Sequence, residues 1–194
     1  MVWAFIFILG FIAVMALFAY ANKVQRQRVQ EKFSSVPDVT KDHALNESVL
    51  IGAPNEKVWH YLTDAGLYKQ WHPTLKEVKT LEGKEFALGA RMAFVFDEGN
   101  RVIVDATVIA RAEKEHLAFR CVSTGHLEAD RFEWLLLKKL ASNQTELRVI
   151  NDYQYDSGRS SGTDTMLLHM VGKAYKKTLQ VELAALQQLL QNSA

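Results

Sequence analysis

The chain has 194 residues, 48% of them hydrophobic and 23% charged, a composition that fits one medium globular domain with an accessory segment and excludes a disordered chain. Its formal net charge of +1 divides unevenly, because Lys23, Arg26, Arg28 and Lys32 against Glu31 place +3 in one short stretch and leave about −2 elsewhere. The main body therefore lacks the basic surplus that nucleic-acid binding requires. Its single cysteine, Cys121, excludes an intrachain disulfide and fits a reducing compartment.

Met1 to Ala21 carries no charged side chain. As a helix it would rise about 31 Å, close to the hydrocarbon thickness of a bilayer. Trp3 and Tyr20 stand near its two ends, where amphipathic rings suit the interfaces, and the basic cluster follows on the C-terminal side only. Residues 1–22 are expected to be a single-pass transmembrane anchor in the cytoplasmic (inner) membrane, with the positive flank and the domain behind it facing the cytoplasm. The competing expectation is export after cleavage near Ala21, since Ala19-Tyr20-Ala21 fits the pattern read by signal peptidase. No Lys or Arg precedes the apolar stretch, and the positive charges fall on the wrong side of that cut for export, so the anchor is preferred. Residues 23–42 read as a juxtamembrane helix running into a linker at Ser34, Ser35 and Pro37.

A domain follows over residues 43–194. His43 to Gly52 alternates as a strand, and Pro54 suits the first position of a short helix carrying Val58, Trp59 and Leu62 to about Thr63. Asp64 can cap a second short helix through Leu67 and Trp71, which Pro73 ends. Strands are then expected over 78–81, 90–96, 102–112, 117–123, 127–138 and 145–155, with turns marked by Gly or by Ser142-Asn143. Met92, Phe94 and Phe96 share one face, a phase repeated by Val102, Val104 and Val108 and by Leu117, Phe119 and Cys121. Residues 163–191 form a long amphipathic helix with a stripe of Leu167, Val171, Ala174, Leu179, Leu183, Leu186 and Leu190, opened by a capping pair of Ser161 and Asp164. A single antiparallel sheet curved around such a helix is an α+β architecture.

The run Ser48 to Asp64, SVLIGAPNEKVWHYLTD, followed by Trp71-His72-Pro73, resembles the opening of the START-like (SRPBCC, birch-pollen-allergen-type) superfamily. Leu88-Gly89-Ala90 before a strand and the leucine-rich final helix resemble its polyketide cyclase/dehydrase and lipid-transport branch. The resemblance spans about Ala44 to Leu190 and implies a helix-grip fold with a deep apolar cavity between sheet and helix. Members bind lipids, sterols, polyketides or quinones, and some are enzymes or modulate chaperones. It implies no cofactor.

The histidines at 60, 72, 116 and 126 lie on different elements without metal-ligand spacing, so no metal site is expected. Asp130, His126, Tyr153 and His169 are the candidates for acid–base work near an opening, and each has an ordinary alternative as a solvated or rim residue. Trp71, Phe94, Phe96, Val104, Phe119, Trp134, Tyr153 and Met170 are expected to line an apolar cavity, because a curved sheet beneath one helix is hard to fill with side chains. The expected activity is binding, or transport, of a hydrophobic or lipid-like small molecule by a membrane-anchored domain. The alternatives are a cyclase/hydratase-type enzyme on an apolar substrate and a protein-interaction module with a closed interior.

Overall fold

The computed structural model describes residues 44–97, 101–123, 130–154 and 162–192, with side chains over 45–97, 101–122, 131–151 and 175–192. The chain divides into two units, 1–37 and 38–194, and the fold that follows is that of the second. The expected anchor over 1–22, the juxtamembrane segment over 23–42 and the capping residue Ser161 lie outside the described residues. Among the described residues no helix is long and apolar enough to cross a membrane.

Strand β1 (Ala44–Ile51) leads into α1 (Asn55–Thr63) and α2 (Ala65–Trp71), followed by β2 (Leu75–Glu82), β3 (Arg91–Asp97), β4 (Arg101–Ala112), β5 (His116–Ser123), β6 (Asp130–Ala141), β7 (Gln144–Gln154) and the long helix α3 (Gly162–Asn192). Seven strands form one antiparallel sheet in the order β1-β7-β6-β5-β4-β3-β2. The strands joined by the two short helices thus end up on opposite edges, and the sheet curves around α3.

Local chemistry explains the corners. Asp64 caps α2 by accepting from the Leu67 N–H at 2.9 Å, as its position suggests. Pro54 stands one place earlier than expected: it is the extended residue before α1 (φ −60°, ψ 148°), not the first helical one. Its fixed φ suits either position, and its carbonyl accepts from Lys57 and Val58. The α1 entrance is tied to the sheet by Thr145 Oγ1 donating to the Ala53 carbonyl at 2.9 Å and by Asn55 Nδ2 donating to the Lys114 carbonyl at 2.8 Å. Between β2 and β3, Gly89 takes φ +80° and donates to the Val108 carbonyl. Phe86 in the same connection takes φ +51° with its ring fully buried, and Arg111 Nη1 donates to its carbonyl at 2.7 Å. Burial of that ring offsets the cost of the left-handed backbone.

Register assigns each side chain to a face. Phe94 pairs with Val104, Ala106 with Cys121, Val108 with Phe119, and Phe119 with Glu133. Leu135 pairs with Val149 and Leu147 with Val49. All of these share the face that meets α3, whose Leu179, Leu183, Leu186 and Leu190 are buried as the helical spacing requires. Lys176 holds α3 to β1 through Glu47 at 2.8 Å, and Gln187 donates to the Leu50 carbonyl at 2.8 Å.

Candidate functional site

The inner face of the sheet is closed at one end and looser at the other. At the closed end α2 presents Tyr68, with Trp71 beside it, to Phe94 and Phe86, and Phe119 packs against both of those rings. Tyr68 lies 5.5 Å from Phe94 and 4.9 Å from Trp71, and Phe119 lies 5.7 Å from Phe94 and 6.1 Å from Phe86, ring centre to ring centre. These offset and edge-on contacts are those that aromatic quadrupoles favour. Burial falls toward the β3–β4 turn: Met92 and Phe94 are buried while Phe96 is only partly so, and Val108, Ala106 and Val104 are buried while Val102 is only partly so. Small inward residues, Ala106 beside Cys121, lie between the two ends.

Polar groups occupy the same inner face farther across the sheet. Arg131 Nη2 lies 3.4 Å from Glu133 Oε2, and Tyr175 of α3 donates its hydroxyl to that oxygen at 3.3 Å. The Arg131 guanidinium also sits 4.7 Å from the Tyr175 ring centre, a cation–π contact. Asn151, the β7 partner of Glu133, is fully buried, and among the described residues neither its amide oxygen nor its amide nitrogen has a hydrogen-bond partner. Between α2 and α3, His72 Nδ1 lies 3.0 Å from Glu182 Oε1, with both residues buried. That contact has the distance of an ion pair without the alignment of a hydrogen bond.

Burial pushes the Tyr68 phenol far above its ordinary range, aided by the negative charge of Glu133 and Glu182. Burial likewise raises the Cys121 thiol to about 11, against the opposing effect of Arg131. Both groups stay protonated at neutral pH. The folded Cys121 therefore keeps its proton beyond 9.0, where the unfolded thiol loses it, so its contribution to stability is complete below about pH 9 and is lost progressively toward pH 11. Denaturant titrations across that window are expected to show falling stability, and Cys121→Ala should flatten part of the fall. An identical decline in the variant would contradict the buried-thiol account.

Of the residues expected to line the interior, Phe94, Phe119 and Val104 are on the inner face and buried, and Phe96 is on it and partly buried. Trp71 is buried too, but packed against Tyr68 and His72 as part of the aromatic cluster. Trp134 is a correction. It pairs with Ala118 while the adjacent Phe119 pairs with Glu133, so it lies on the opposite face, with its ring 5.8 Å from that of His116. Tyr153 pairs in register with Arg131, and Met170 and His169 belong to α3, but these three side chains lie outside the described ones. Asp130 opens β6, paired with Val122 and Gln154, its side chain likewise outside them, and His126 lies outside the described residues. The sequence reading misses Arg131, Glu133, Asn151 and Glu182. Their signal is present in the pattern: each is a polar residue in phase with an apolar stripe, Leu135 and Leu137 for the first pair, Leu147 and Val149 for Asn151, Leu179 and Leu183 for Glu182.

Residues 42–190 match the family described as polyketide cyclase/dehydrase and lipid transport. No curated protein matches the chain. Among solved structures, a START superfamily protein from Mycobacterium smegmatis is similar at 17% identity and a TM-score of 0.63, over 78% of this chain and 99% of that one. An aromatase/cyclase from a Streptomyces species is similar at 18% identity and a TM-score of 0.62, over 76% of this chain and 93% of that one. A protein from Mesorhizobium loti reaches 19% identity and a TM-score of 0.61, over 78% of this chain and 98% of that one. At such identities the likeness is one of fold.

Proposed function

Because the chain belongs to the polyketide cyclase/dehydrase and lipid-transport family, within the START-like superfamily, we propose that it binds a hydrophobic or lipid-like small molecule between the inner face of its sheet and α3. The observation that carries this reading is the gradient of burial along β3 and β4. The wall is sealed by aromatic packing at Tyr68, Phe94 and Phe119 and loosens toward Val104, Phe96 and Val102, with the small Ala106 and Cys121 between. An apolar wall that is closed at one end, with a few polar groups set into it, has the anatomy of a small-molecule site. Extraction of the purified full chain with organic solvent, followed by mass spectrometry, tests it: a stoichiometric apolar compound is expected. Extracts that match the detergent blank, together with no uptake of added apolar compounds, would refute it.

The domain works at a membrane in this proposal, where such ligands dissolve, with residues 1–22 as anchor and the domain on the cytoplasmic side. The support is the uncharged run Met1 to Ala21 and the basic flank of Lys23, Arg26 and Arg28. The full chain is expected to sediment with membranes and resist alkaline carbonate, and a reporter fused after Ala194 is expected to be active in the cytoplasm. A mature N-terminus at Asn22, or reporter activity on the far side of the membrane, would replace the anchor with a cleaved signal.

A second reading, an enzyme of the cyclase kind acting on an apolar substrate, draws on the ionisable groups of the same wall, Glu133 with Arg131 and Tyr175. Turnover of an added polyketide-type substrate that disappears in Glu133→Gln while binding persists would favour it.

A further inference from the structure

Asn151 is a polar group on this inner face whose burial the fold itself leaves unexplained. It is fully buried on an inner strand, flanked on its own face by Val149 and across the sheet by Glu133. Its amide can accept through Oδ1 and donate through Nδ2, and among the described residues neither atom has a partner. A buried amide without partners is costly, because both its polar atoms have given up water and gained nothing in its place. Apolar β7 neighbours in the same phase, Leu147 and Val149, show that a hydrophobic side chain fits this stripe.

Resting on the binding reading above, we propose that the ligand is amphipathic and uncharged at its polar end, with a hydroxyl or carboxamide head that hydrogen-bonds the Asn151 amide while its apolar body lies toward Val104 and Phe96. The neutrality of the head follows from the surroundings. Arg131 and Glu133 pair with each other at 3.4 Å, so these two charges beside Asn151 offset each other. The Cys121 thiol and the Tyr68 phenol stay protonated. An ionised carboxylate brought to Asn151 would lie beside the Glu133 carboxylate, and an ammonium beside the Arg131 guanidinium, each desolvated against a like charge. A neutral donor–acceptor head avoids both and satisfies the amide.

The test uses the full chain in a nonionic detergent, with equilibrium dialysis of labelled 1-dodecanol, dodecane and dodecanoate at neutral pH and protein-free micelles subtracted. Wild type is expected to bind dodecanol about tenfold tighter than dodecane, the worth of one or two net hydrogen bonds, and dodecanoate more weakly than dodecanol. Asn151→Leu is expected to erase the preference for the alcohol while keeping dodecane affinity, and to melt at the wild-type temperature or above it, because it removes two unpaired polar atoms. Equal affinity for dodecanol and dodecane would overturn the head-group inference and leave the apolar-ligand reading standing. Absence of binding by all three compounds would strike the binding reading itself. Tighter binding of dodecanoate than of dodecanol would overturn the neutral head in favour of an anion. A lower melting temperature in Asn151→Leu with the alcohol preference intact would make the amide a structural group. Should Asn151→Leu fail to fold, the three wild-type affinities still decide the class of head group, and Asn151→Ala takes its place.

Discussion

Replacing Trp71 with alanine is expected to lower stability by about 3–5 kcal/mol, the range for truncating a fully buried aromatic. The indole is 1% exposed, lies 4.9 Å from the Tyr68 ring and 3.7 Å from the His72 ring, and points its Nε1 at the Tyr61 carbonyl at 3.4 Å. Those contacts connect α2 to α1 and, through Tyr68, to Phe94 of β3. Without the indole, α2 loses the group that seats it. This helix has only seven residues and cannot persist on its own propensity. For a domain of this size the loss corresponds to a fall in melting temperature of roughly 10 °C or more. Calorimetry of the full chain checks it, and a shift below about 3 °C would mean that the ring is peripheral to the fold. Trp71→Phe, which keeps a ring in the cluster, is expected to recover much of the difference.

Legibility differs by element, for identifiable reasons. On strands β3, β4 and β5 the largest apolar side chains fall in one phase, with Arg91 and Asp97 opposed to Met92, Phe94 and Phe96, so that phase marks the inward face and the register agrees, although Ala93, Val95 and Ala118 are buried in the other phase. Strand β6 cannot be phased that way. Phe132, Trp134, Leu135, Leu136 and Leu137 are apolar in both phases, and the largest ring points to the wrong one. Two of its charged residues hold the answer inverted: Arg131 and Glu133 face inward and pair with each other, which a rule that places charges outside misreads. Asn151 is hidden in the same manner among the apolar residues of β7. Phe86 lies in a connection with no periodicity, and only tertiary packing reveals that its ring belongs to the core. The apolar stripe of α3 is legible wherever its side chains are described, at Leu179, Leu183, Leu186 and Leu190, while Glu182 between them has the charge of a surface residue and the burial of a core one.

Val104→Trp is expected to abolish binding of 1-dodecanol, by tenfold or more in affinity, while changing the melting temperature by no more than about 2 °C. Val104 sits where the two ends of the inner face meet. It pairs with Phe94 of the aromatic cluster on one side and with Ser123 on the other, and it is 9% exposed where its strand neighbour Ala106 is 1% exposed. An indole placed there has two destinations. If the space beyond Val104 is the ligand's, the ring enters it, makes the contacts that the ligand body would have made, and leaves the backbone undisturbed. If the space is already filled, the ring has nowhere to go and overpacks against Phe94, at a cost of typically 1–3 kcal/mol, or several degrees in melting temperature. Binding and stability therefore separate the two states of the interior in one variant. Lost binding at constant stability supports an open site, whereas a destabilised variant of a wild type that takes up none of the probes would mean a packed interior and a protein-interaction role for the domain. Val102→Trp, one inward position nearer the looser end, is expected to weaken binding less, because its ring reaches only the partly buried margin of the same wall.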